Sequence, residues 1–307
     1  MSEIDKQYKE LLKEILTNGY KYQTDNRKNI ICKQIDSYTI KHDFKDGFPL
    51  LSLKKIPFNL VISELLWFLR GKNTLDFLHE NDNYIWDADA NTFFNNEKHR
   101  VINVGKAYGS QWRHFTKAHY SNGLDQIKNL VMSLRTDNPI TRRHIVIAWN
   151  PLEISRESVA LPPCHWSFEV IVRPLASSEK CFKFSEYGFT LKWHQRSVDT
   201  YLGLPFNIAS YALLALLIER WTGHKALGII GDLSNVHLYD NSWGAAIQLL
   251  GRDEDTYESP SVFLSNEITK DSWKLEEITK LKVEDVKLVN YFAYENIKVK
   301  MLAQDIV

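Results

Sequence analysis

Cys164 lies in the string LPPCHW, behind two prolines and directly before His165. Prolines restrict their own backbone and that of the residue before them, so this stretch can hold a side chain in a fixed direction. A thiol there is either a small core hydrophobe or a nucleophile, and a cationic neighbour such as His165 or an arginine would favour its thiolate. TRRH at 141–144 sets Arg142 and Arg143 side by side, entering a β-like run. Strand neighbours leave from opposite faces, which argues against plain surface decoration, and arginine forks suit phosphate oxygens. A surface ion-pair site is the alternative. Arg196, between Gln195 and Ser197 in HQRSVD, and Arg27 near the start are further cations. Several arginines and a serine can build an anion site from separate segments, but spacing alone does not show that they meet.

Other residues suit recognition. In HLY, His237 and Tyr239 share one face of a strand, as a hydroxyl-binding pair or merely a half-buried edge. Asn207 precedes an apolar helical run, where it is either the N-cap or an amide offering one acceptor and two donors to a base. Glu64 stands alone among apolar residues in ISELLWFL. Unless paired, a carboxyl in such a setting is costly to ionise, so its pKa should be pushed up, as is common at functional sites.

These residues need elements to carry them. Apolar residues at helical spacing predict helices over 8–16, 62–69, 124–134 and 208–221, the last a buried one too short to span a bilayer. Short β-like runs cover 144–149, 167–172, 189–193 and 227–230. Strands interspersed with long helices predict a mixed α/β or α+β fold. No linker, repeat or like-charge block divides the chain, so a single domain over 1–307 is expected, with a polar surface insertion near 173–188. Lys plus Arg and Asp plus Glu are both 38. That balance argues against a sequence-independent nucleic-acid binder. Three cysteines without a CxxC spacing argue against zinc and fit a reducing, cytoplasmic setting.

The strings ELLWFLRG, LHEN, IWD, YGSQWRHF, RRHIVIAWNP, LPPCH, HQRSVDTYLGLPFNIASYALL, VHLY and IKVKMLA occur in one order. On them the chain resembles the thymidylate synthase family from about Tyr8 to Ala303. The resemblance implies that family's three-layer α/β (α+β) fold, with a large twisted mixed sheet packed on its twin in a homodimer. It implies Cys164 as the nucleophile that adds to C6 of dUMP, with Glu64, Tyr108, His165 and Arg196 completing the catalytic set. Arg27, Arg196 and Ser197 match phosphate-binding positions, and Arg142 and Arg143 match those donated to the partner's site. Asn207 matches the reader of the uracil edge, His237 and Tyr239 the pair on the sugar 3′-hydroxyl; Gln195 and Asp199 complete the substrate set. Ile85, Trp86, Asp199, Gly203, Phe206 and Ala303 match folate-site positions. The co-substrate implied is 5,10-methylenetetrahydrofolate, with no metal, membrane or nucleic acid needed for catalysis.

Several positions depart from the family pattern. DNRKNII lacks the usual Thr-Gly alternation, Asp89 replaces an aromatic after IWD, and Pro57 and Ser242 stand where histidines are usual. Four residues, QDIV at 304–307, extend past Ala303. These changes concern the folate side and its closure more than the nucleotide side. If water reaches the late nucleotide intermediate before hydride does, the product is 5-hydroxymethyl-dUMP, so a phage-type hydroxymethylase is the alternative to a synthase. A catalytically dead nucleotide- or RNA-binding relative would have no use for the thiol.

Overall fold

The computed structural model describes residues 2–23, 30–93, 103–115, 123–155, 158–177, 185–252 and 259–299. Its spine is a mixed sheet of seven strands: β1 (Tyr20–Gln23), β2 (Ile31–Asp43), β3 (Ile145–Ile147), β4 (His165–Pro174), β5 (Tyr187–Gln195), β6 (Val198–Asp199) and β7 (Lys225–Tyr239). The spatial order is β1-β2-β7-β5-β4-β3, with β6 also on β7. β5 and β6 run parallel to β7, and the remaining pairs are antiparallel. The α+β expectation therefore holds.

Helices cover one face of the sheet. On α1 (Glu3–Asn18), Ile4, Tyr8, Leu11, Leu12 and Ile15 form a buried stripe, and Ser2 caps the helix by accepting from the Asp5 backbone N–H. Such spacing is that of a helix laid on a core. α2 (Phe58–Leu69) and α7 (Gly203–Thr222) are buried on nearly all sides. The second of these carries Pro205 in its first turn, where no helical hydrogen bond is lost, and ends at Gly223 with φ +77°. Shorter helices follow the same core: α3 (Asp76–His79), α4 (Asp87–Phe93), α5 (Tyr108–His114), α6 (Gln126–Leu134) and α8 (Asp240–Leu250). At Gly109 a Cβ would sit 2.5 Å from the Phe68 carbonyl oxygen, so only glycine lets α5 approach α2 this closely. β8 (Ser261–Leu264) and β9 (Val286–Val289) form a separate two-stranded ribbon, with α9 (Leu275–Ile278) between them in sequence.

The other face of the sheet carries exposed apolar side chains. Ile145, Trp166 and Ile171 are exposed there, near His194, whose ring nitrogens each lie 3.2 Å from a carboxylate oxygen of Glu169 or Asp232. No helix among the described residues is long and apolar enough to cross a membrane.

Of the four strands expected, β4, β5 and β7 are longer than their apolar runs, because partner strands rather than hydropathy set the length, and β1, β2 and β6 were not expected at all. The exception is β3, which covers 145–147 where the pattern suggested 144–149. Arg142 and Arg143 lie before it, both exposed, on a turn closed by His144 Nε2 donating to the Pro139 carbonyl at 2.7 Å. Opposite-face strand geometry therefore does not apply to them. The polar stretch near 173–188 starts and ends inside the sheet, since Arg173 pairs with Gly188 and Pro174 with Tyr187.

Candidate active site

A cavity of about 400 Å³ opens where β5 gives way to β6. Cys164, half-buried, faces it from the turn that precedes β4. The thiol is thus not sealed in the core, and the turn that carries it is held by an arginine. Arg196 Nε donates to the Pro163 carbonyl at 3.0 Å, Nη2 donates to Pro162 at 2.7 Å, and its backbone N–H donates to the Cys164 carbonyl at 2.8 Å. One arginine therefore clamps the proline turn from three points. Its guanidinium also lies 5.2 Å from the Trp149 ring centroid, a cation–π contact that sequence reading passed over. On the other side, the Cys164 N–H donates to the Tyr108 hydroxyl at 2.8 Å.

His165 does not act as a cation beside this thiol. It begins β4, is buried, and stacks on Tyr108 with ring centroids 4.2 Å apart, while Nδ1 lies 2.8 Å from the Tyr211 hydroxyl. Desolvation brings its pKa down to about 3, so the ring is neutral at pH 7. The expectation that an adjacent imidazolium supports the thiolate is corrected; Arg196 is the cation close to the turn.

Asn207 lies inside α7, whose N-cap is Leu202, so the capping alternative falls away. Its amide is oriented by Gln195. Nε2 of Gln195 donates to Asn207 Oδ1 at 3.1 Å and to the Ser197 carbonyl at 3.0 Å, and Trp193 Nε1 donates to Gln195 Oε1 at 3.2 Å. Both hydrogens of the Gln195 amide are engaged, which fixes the Asn207 oxygen toward Gln195. His237 and Tyr239 share one face of β7, with rings 4.9 Å apart, and both line the cavity. Asp199 lines it too, although its Oδ1 also accepts from the Tyr201 and Leu202 N–H groups at 3.1 and 3.0 Å. That carboxylate organises the entry to α7 as well as facing the cavity.

Glu64 behaves as its apolar surroundings dictate. Burial raises its pKa to about 7, and the Trp86 Nε1–H, donating to Oε1 at 2.8 Å, opposes the rise. Ile85, Trp86, Leu202, Gly203 and Phe206 form a largely apolar wall, in which Pro57 and Asp89 also stand. Lys54, named in no motif, is almost fully buried at the cavity edge. Its Nζ donates to the Tyr201 carbonyl at 2.6 Å, and desolvation lowers its pKa to about 8. Its place inside an apolar stretch was the available signal.

Residues 290–299 cross this rim as a strap. Tyr294 exchanges backbone hydrogen bonds with Ser52 and Lys55, both at 2.8 Å, and the Tyr201 hydroxyl donates to the Ile297 carbonyl at 3.0 Å. The Tyr291 hydroxyl donates to Leu51 O at 2.8 Å and accepts from Ile56 N at 2.9 Å. Asn296 lines the cavity. Arg27 and Ala303 lie outside the described residues, and Arg142, Arg143 and Arg196 are not among the lining residues, although Gln195 and Ser197 on either side of Arg196 are. Ser242 is buried in the first turn of α8, away from the lining.

An α+β chain whose cavity joins an accessible thiol, a carboxyl that titrates near neutrality and an oriented amide has the parts of a covalent, proton-transferring enzyme. The thymidylate synthase family model matches residues 6–303, and the chain belongs to that family. The family transfers one carbon to dUMP, with methylenetetrahydrofolate as co-substrate.

Proposed function

We propose that this chain is a thymidylate synthase, converting dUMP to dTMP through a covalent adduct on Cys164. The observation that carries the reading is the sharing of one cavity by Cys164 and the Gln195-oriented amide of Asn207. The sulfur adds to C6 of the uracil ring, and negative charge develops toward C5 and O4. The Asn207 NH₂ donates to O4 while its oxygen accepts from N3–H, a pattern that cytosine does not match. Arg196, Ser197 and Arg27 hold the phosphate, and His237 and Tyr239 hold the 3′-hydroxyl. Glu64, poised near neutrality, relays protons with Tyr108 at the pyrimidine. The apolar wall of Ile85, Trp86 and Phe206, with Asp199 and Gly203 beside it, receives methylenetetrahydrofolate, which supplies the one-carbon unit and the hydride for a methyl product. Ala303 belongs to the closing segment.

The whole chain, 1–307, forms one domain. The exposed apolar residues Ile145, Trp166 and Ile171 on the second sheet face support a homodimer in which Arg142 and Arg143 reach the partner's cavity. A hydroxymethylase is the second reading. It is favoured by Asp89, a carboxylate in the wall that must exclude water for a methyl product. Mass spectrometry of the product formed from dUMP and methylenetetrahydrofolate in ¹⁸O-labelled water tests both. An unlabelled methyl product with dihydrofolate supports the synthase; a labelled hydroxymethyl product with tetrahydrofolate replaces it with the second reading.

A further inference from the structure

On strand β7, Asn235 is a non-glycine residue with φ +50°. On one flank, β5 pairs with β7 as far as Gln195 opposite Leu233, and β6 resumes with Val198 opposite Val236. Asn235 therefore faces the interval occupied by Arg196 and Ser197, where the neighbouring strand is interrupted. Its side chain fills that gap: Nδ2 donates to the Arg196 carbonyl at 2.8 Å. Its own carbonyl accepts from His237 Nδ1 at 2.7 Å. A carbonyl only accepts, so Nδ1 carries a ring hydrogen. A third contact steadies the residue, because Gln34 Nε2 donates to Asn235 Oδ1 at 3.1 Å.

We propose that Asn235 is a positioning residue that couples Arg196 to His237, setting the backbone of one and the tautomer of the other. The proposal rests on the nucleotide-binding reading above, in which these two residues take the phosphate and the 3′-hydroxyl. Asparagine suits the place because it tolerates the left-handed region and also brings a donor. Glycine would supply the backbone without the amide, and aspartate would turn a carboxylate toward the Arg196 carbonyl.

The test uses the full chain with Asn235→Gly and Asn235→Asp, measuring kcat and KM for dUMP at saturating methylenetetrahydrofolate. Asn235→Gly should raise KM roughly 2- to 10-fold, and Asn235→Asp roughly 10- to 100-fold, with kcat within about twofold of the parent. KM unchanged in both variants, or kcat reduced at constant KM, overturns the coupling to Arg196. Long-range ¹H–¹⁵N spectra, with the His237 signals identified by their loss in His237→Gln, should show the Nδ1–H tautomer; an Nε2–H tautomer overturns the coupling to His237. That measurement needs no nucleotide. If the parent chain binds no dUMP while His237 shows the expected tautomer, the nucleotide reading has failed and the geometry of Asn235 stands.

Discussion

The two sides of the cavity are built differently. The side assigned to the nucleotide is a polar network on strand ends: Trp193 to Gln195, Gln195 to Asn207, Arg196 to the proline turn. Trp193 and Gln195 are neighbours on β5, but Gln195 reaches into α7 and Arg196 reaches back to the turn before β4, so side-chain hydrogen bonds do the aiming. The side assigned to the folate is an apolar wall, tied down by a strap whose anchors, Ser52 and Tyr294, lie far apart in sequence. Geometry on the first side is set by directional side-chain hydrogen bonds and tolerates little substitution. On the second it depends on distant segments meeting, and there the departures from the family pattern, Pro57 and Asp89, are found.

Substitutions can break this contrast. The largest effect is expected on the nucleotide side: Cys164→Ser should lower turnover by roughly 10³-fold or more while leaving dUMP binding measurable by calorimetry. Near-normal turnover would end the covalent mechanism. Asn207→Asp should cost about 100-fold in kcat/KM for dUMP, since a carboxylate would face O4, and should improve relative use of dCMP. Competition assays with the two nucleotides measure the ratio.

Smaller effects should sharpen the contrast on the folate side. Trp86→Phe removes the N–H that stabilises the Glu64 carboxylate. The inflection in kcat expected near pH 7 should then move upward by about one unit, and Glu64→Gln should abolish it. A downward move in the pH–rate profile of Trp86→Phe would contradict the hydrogen bond. Tyr291→Phe leaves the Leu51 carbonyl and the Ile56 N–H without that hydroxyl. It should lower stability by ~1–3 kcal/mol, a few degrees in Tm by calorimetry, and raise KM for the folate more than KM for dUMP. An effect on dUMP alone would place the strap on the wrong side of the comparison.

Much of this was legible in the chain itself. The buried α7 follows from an apolar run with Pro205 near its start and Gly223 after it, and α1 from its apolar stripe, because helix signals are local. Glu64 was legible for the same reason: a carboxyl in ISELLWFL is buried by its neighbours in sequence. His165 was not. Its charge state depends on Tyr108 and Tyr211, which come from α5 and α7, and adjacency to Cys164 carried the opposite suggestion. Lys54 was passed over despite its apolar surroundings, and Asn235 because an asparagine in a strand looks ordinary until its partners are known.

The chain alone determined the chemical inventory, the helices and the family, since residue type, periodicity and motif order are properties of a linear string. Only the tertiary structure decided which nitrogen of His237 carries hydrogen, which way the Asn207 amide points and which cation serves the cysteine turn. Those are relations between segments, and burial and hydrogen-bond direction are settled only when β5, β7 and α7 come together.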